Sequence, residues 1–211
     1  MFWIEIDNSN LGKNRLGFGR CPTLLLVDFV QAYTNPDSRL FASGLSRAVG
    51  EAAELLSFAR ASQIPTVHTK IQYTAADLAG CLWLKKSPSM NVMRVGSPLV
   101  EFCDSVAPLA GELVATRHFP SAFFATRLDK ILREQGIDTI VIAGGTTSDS
   151  IRSTAIDGIQ HGFHVIVVRE CVGDRHLAIH ETHLREIDQR YGDVVSKEAV
   201  FEAFRFSEKR R

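Results

Sequence analysis

The chain has 211 residues, 45% of them hydrophobic, enough for the core of one globular domain and too few for a second full one. Lys plus Arg and Asp plus Glu both count 24, so no net charge draws the chain to nucleic acid or to an acidic membrane surface. The N-terminus carries acidic residues early and lacks the apolar core of a signal peptide, and no run of about eighteen apolar residues occurs; together these predict a soluble, cytoplasmic protein. Its four cysteines, Cys21, Cys81, Cys103 and Cys171, form no C-x-x-C pair, which fits buried or free thiols in a reducing compartment.

Residues 1–20 read as an N-terminal arm of a single domain spanning 1–211. The first strand is expected over "TLLLVDF" (23–29), followed by a helix in "SRAVGEAAELLSFARASQ", whose Ala, Leu and Phe fall at helical spacing. A second strand follows at "PTVHTKI" (65–71). The stretch 72–97, "QYTAADLAGCLWLKKSPSMNVMRVGS", reads as a long irregular loop, and loops of this length in compact domains tend to be lids or contact surfaces. Further strands are expected at "ELVATRH" (112–118), "DTIVIAG" (138–144), "FHVIVV" (163–168) and "GDVVS" (192–196), with a helix in "TRLDKILREQG" that Gly136 would stop. Nearly continuous apolar runs at the first, fourth and fifth strands are the mark of parallel strands covered on both faces. The alternation predicts a three-layer α/β/α domain. The terminal "EKRR" reads as a short solvated tail.

In open α/β sheets, ligands bind beyond the carboxyl ends of the strands. Three polar residues fall at such ends: Asp28, Arg117 and Ser150. A carboxylate, a fixed cation and a hydroxyl beside a helix N-terminus could supply a proton acceptor, charge stabilisation and a nucleophile. Ser150, in "GGTTSDSIRST", is equally placed to be an inert helix cap, and local sequence leaves both readings open.

The segments "LLLVDFVQAYT", "RHFPSAFFATRLDKILREQGIDTIVIAGGTTSDSIRSTAIDGIQHGF" and "GDRHLAIHETHLREIDQRYGDVV" resemble the isochorismatase-like hydrolases, most closely the group of N-carbamoylsarcosine and maleamate amidohydrolases. The resemblance implies a six-stranded parallel sheet of order 3-2-1-4-5-6, assembled into a homodimer or homotetramer with the site near a subunit interface. It implies a small carboxylate-bearing substrate, no cofactor and no metal. Carried over by position, the family's aspartate falls on Asp28, its lysine on Arg117, and the cysteine of its "TTSGC" pattern on Ser150. The oxyanion hole falls on the backbone N–H groups of Thr146 and Ser150, after a cis peptide preceding Thr146, with Gly145 and Thr147 beside it. Arg175, in "GDR", matches the arginine that binds the substrate carboxylate, a task guanidinium performs by paired hydrogen bonds.

Both departures matter chemically. Proton transfer from a thiol to a carboxylate is uphill by roughly 6 kcal/mol from reference pKa values, and a serine hydroxyl is a much weaker acid still. Guanidinium stabilises anions but does not readily give up a proton, so shuttling through position 117 would be lost. The resemblance therefore implies an amidohydrolase cleaving a C–N bond with a weakened nucleophile. Two alternatives stand beside it: a non-catalytic carboxylate-binding or interaction protein of the same fold, and a vinyl-ether hydrolase of the isochorismatase type using Asp28 as acid. His176 and His180 lie one turn apart, close to His183, but no Cys or Asp cluster completes a metal set. Cys171 reads as a packed thiol rather than a displaced nucleophile.

Overall fold

The computed structural model describes residues 14–208, with side chains to residue 205. Residues 1–13 of the expected arm, and all but Glu208 of the "EKRR" tail, lie outside the described residues. In chain order the main elements are β1 (Pro22–Val27), α1 (Gln31–Thr34), α2 (Ser43–Ala61), β2 (Thr66–Ile71), α3 (Ala75–Gly80), α4 (Leu82–Lys86), β3 (Leu113–Arg117), α5 (Leu128–Glu134), β4 (Thr139–Gly145), α6 (Arg152–Gln160), β5 (His164–Gly173), α7 (Leu177–Arg190), β6 (Asp193–Val195) and α8 (Lys197–Glu208). The six strands form one sheet of order β3-β2-β1-β4-β5-β6, and every pairing is parallel. This is the expected three-layer architecture.

The apolar runs explain why the sheet is central. In β1, Leu24 and Leu26 point into one core with Leu45, Leu55 and Leu56 of α2 and Phe204 of α8. Leu25 and Val27 point into the other, with Leu132 of α5, Ala155 of α6 and Leu184 of α7. Neither face of the strand meets water, so alternation disappears from the sequence. Each of the fully buried leucines of α2 contributes roughly 1.5–3 kcal/mol by leaving water. Gly136 has φ +72° one residue past the C-cap of α5, a left-handed position that suits glycine as a helix stop.

Two elements differ from expectation. Strand β5 runs on to Gly173, five residues beyond 168, because a register shift after Ile142 lets Val172 and Gly173 pair with Gly144 and Gly145. The segment 72–97 is not an irregular loop but holds α3, α4 and a 3-10 turn at Pro88–Val92. Thr74 and Asp77 form a reciprocal capping box that starts α3, and Pro88 opens the 3-10 turn where its missing N–H is harmless. Pieces this short bury too little for a periodic signal.

What remains described of the arm is tied to the far side of the sheet. Arg15 pairs with Asp188 at 2.7 Å, and the Gly17 N–H donates to Asp193 at 2.7 Å. No helix among the described residues is long and apolar enough to cross a membrane.

Candidate active site

Strand order reverses between β1 and β4, so the crossovers that leave them go to opposite faces and open a crevice at their carboxyl ends. Val27 is in register with Gly144, which sets the residue after β1 beside the turn after β4. Gly144 has φ +131°, and a Cβ there would lie 1.9 Å from the Val27 carbonyl oxygen, so only glycine lets the two strands end this close. Asp28 itself adopts φ +55°, a left-handed conformation that aspartate tolerates better than most side chains. Its N–H donates to the Thr69 carbonyl at 3.0 Å, and its Oδ1 accepts from the Ile71 N–H at 3.2 Å. The residue and its Oδ1 are thereby held against the end of β2.

Arg117 ends β3, two strands away, in register with Ile71. Its long side chain spans that gap, and Nη2 donates to Asp28 Oδ2 at 2.5 Å while Nη1 donates to the Phe119 carbonyl. Ser150 Oγ donates to the same Asp28 Oδ2 at 2.8 Å. The three residues that sequence reasoning drew from distant positions are thus in one hydrogen-bonded group, with Asp28 at its centre. All three are buried, and the side chains of Asp28 and Arg117 are 0% exposed. Burial pushes the Asp28 carboxyl above its ordinary range, against the opposing pull of Arg117, Ser150 and the Ile71 N–H.

Ser150 does not cap α6 from a non-helical position. It lies inside a π-helical turn, Thr147–Ile151, that precedes α6, and no side-chain cap bond is made at either start. The Gly145–Thr146 peptide is cis, as the resemblance implies. The turn is braced from the β5–α7 connection and from α7: Asp174 Oδ2 accepts from the Ser148 N–H at 2.7 Å, and Thr147 Oγ1 is 2.8 Å from His180 Nδ1.

A cavity of about 200 Å³ has Thr146, Asp149 and Arg175 in its wall. Tyr33 and Arg39 enter from the segment after β1, and Trp83, Ser87, Ser89 and Met90 from 72–97. Arg175 donates from Nη2 to the Leu40 carbonyl at 2.9 Å and lies over the Tyr33 ring, which fixes its course along the wall. Gly145 and Thr147 are buried and do not line the cavity. Asp28, Arg117 and Ser150 do not line it either; Thr146 and Asp149, from the turn that carries Ser150, join the cavity to that group.

Sequence reasoning passed over Asp149, Trp83, Tyr33, Arg39 and Asp174, and weighed His180 only for a metal. Asp149 had a readable signal, because the family pattern "TTSGC" has glycine where this chain has aspartate. The aromatic and polar wall residues had none, since their convergence depends on how 72–97 folds over the sheet. Of the pair His176 and His180 weighed for a metal, His180 lies 2.8 Å from Thr147 Oγ1, and the neighbouring His183 lies 3.1 Å from Glu186. Among the described residues no group of three or more His, Cys, Asp or Glu side chains is arranged to hold a metal ion. Cys171 is buried, and desolvation pushes its thiol well above the ordinary value.

The sequence profile of the isochorismatase domain matches residues 22–199. The chain is 50% identical over 192 residues to the maleamate amidohydrolase of Pseudomonas putida, covering 90% of each protein. It is 30% identical over 201 residues to the N-carbamoylsarcosine amidase of an Arthrobacter species, covering 93% of this chain and 76% of that one. Among solved structures, a cysteine hydrolase from Pseudomonas syringae superposes with a TM-score of 0.83 at 21% identity, over 88% of this chain and 93% of that one, a likeness of fold. The N-carbamoylsarcosine amidase of Thermoplasma acidophilum superposes with a TM-score of 0.70 at 27% identity, over 84% and 97%.

Proposed function

The chain belongs to the isochorismatase family, and from that premise we propose that it is an amidohydrolase cleaving the C–N bond of a small carboxylate-bearing amide, with Ser150 and Arg117 standing where its relatives use cysteine and lysine. The observation that carries the reading is the 2.8 Å hydrogen bond from Ser150 Oγ to Asp28 Oδ2, made in a turn whose Thr146 and Asp149 line a cavity shared with Arg175. In this reading Arg175 seats the substrate carboxylate. Asp28 takes the Ser150 proton as Oγ attacks the amide carbon, and the backbone N–H groups of Thr146 and Ser150 receive the developing oxyanion. Asp28 then passes the proton to the leaving nitrogen as the C–N bond breaks, releasing ammonia and leaving an ester on Ser150. Water, deprotonated by the same carboxylate, hydrolyses that ester and regenerates the hydroxyl. Gly145 and Thr147 shape the turn from behind.

The same reading takes 1–211 as one domain, with 72–97 as its lid or contact element, in a homodimer or homotetramer in the cytoplasm. Support for association comes from Leu177 and Ile179, which are exposed at the start of α7 beside the site.

One observation favours a second reading, carboxylate binding without turnover. Asp28 Oδ2 already accepts from both Arg117 and Ser150, so the atom that must take the proton is engaged by a cation that cannot relay it. Ammonia release from maleamate separates the two. Ser150→Cys alone is expected to leave release near background, whereas Ser150→Cys with Arg117→Lys is expected to exceed it by about 100-fold, the scale of a restored proton relay. Full activity from the single change would sink the role given to position 117. No activity in the double variant would favour the binding reading.

A further inference from the structure

The cavity contains a feature that simple carboxylate recognition leaves unused. Asp149 is in its wall, at the position where the family pattern has glycine, next to the residue read as nucleophile. Its carboxylate makes no hydrogen bond within the described residues. Burial and the nearby Asp28 charge both disfavour its ionised form, with Arg117 and Arg175 opposing them. On the same wall, the indole N–H of Trp83 is buried without a partner. An anionic ligand seated on Arg175 would share about 200 Å³ with this second carboxylate. A ligand bearing both signs would satisfy Arg175 and Asp149 together, because each charged wall group then meets its opposite.

Resting on the reading of Arg175 as carboxylate seat, we infer that Asp149 selects zwitterionic substrates, amino-acid amides that carry an ammonium group as well as a carboxylate. Arg39, which also lines the cavity, adds a second positive charge. A simple monocarboxylate amide would leave Asp149 either unpaired or protonated. Asp149 is then a specificity residue rather than a catalytic one.

The test uses succinamate, asparagine and isoasparagine, which share a carboxylate and a carboxamide and differ in the absence or place of one ammonium group. Dissociation constants are measured by calorimetry on the full chain carrying Ser150→Ala, so that nothing turns over. The better of the two aminated compounds is expected to bind about tenfold more tightly than succinamate, the scale of one charge-assisted hydrogen bond. Asp149→Gly is expected to abolish that preference and to improve succinamate binding, and Asp149→Asn, which keeps the side chain's shape, should do the same. Equal binding of all three compounds, or a preference that survives both Asp149 substitutions, overturns the inference. Arg175→Gln separates this from the parent reading. If it weakens every ligand while the ammonium group makes no difference, only the role of Asp149 falls; if it weakens none, or none binds, the carboxylate seat falls and the inference with it.

Discussion

Strand β3 has an ion pair at each end, and the two behave in opposite ways. Just before the strand, Glu112 accepts from Arg60 Nε and Nη2 at 2.8 Å each, lies 3.0 Å from His68 Nε2, and also accepts from the Leu109 N–H. Burial alone would raise the Glu112 carboxyl, but these donors outweigh it and hold it down at about 2. At the other end, Arg117 meets Asp28 with both side chains out of water, and there burial prevails and the carboxyl is raised. Glu112 and Arg60 remain 14% and 27% exposed, so their charges are solvated as well as paired. The chemistry of the partners is the same. Their solvation decides whether the carboxylate is a tie or a group poised to take a proton.

The largest effect that probes this contrast is expected at Arg117. Arg117→Met leaves a buried carboxylate without its cation and should cost about 3–5 kcal/mol in urea denaturation, most of it recovered when Asp28→Leu is added. Arg60→Met at the other end should cost only about 1 kcal/mol, because water reaches the abandoned Glu112. Equal losses at the two positions would erase the distinction.

The smallest effect is in the pH dependence. Folding lowers the Glu112 pKa from 4.5 to about 2, so its contribution is complete above pH 4.5 and is lost as pH falls through that window. Asp28 has the opposite sign: raised from 3.8 by folding, it favours the fold at pH below 3.8 and withdraws that contribution as pH rises through its elevated value. Glu112→Gln should therefore flatten the fall in stability between pH 4.5 and 2 in urea midpoints taken at several pH values. An undiminished acid limb would show that Glu112 is not the group responsible.

The strands were legible because β1, β4 and β5 are covered on both faces and must be written in Val, Ile and Leu. Strand β5 was read short because its last residues, Arg169 and Glu170 among them, look like a loop; their place in the sheet comes from the register shift beside Gly144. Asp28, Arg117 and Ser150 were legible as strand-end residues. Asp149 was readable only as a departure from a pattern, and the contributions of Trp83 and Tyr33 were not readable at all.

By itself the sequence determined the layers, the strand order implied by its resemblance, and the candidate residues, because apolar coverage and strand ends leave marks along one dimension. Only the tertiary structure decided that one oxygen of Asp28 takes both the Ser150 hydroxyl and the Arg117 guanidinium, and that Asp149 lines one cavity with Arg175. Solvation and hydrogen-bond partnership belong to the packed chain: they depend on which distant groups share a volume and how much water remains between them.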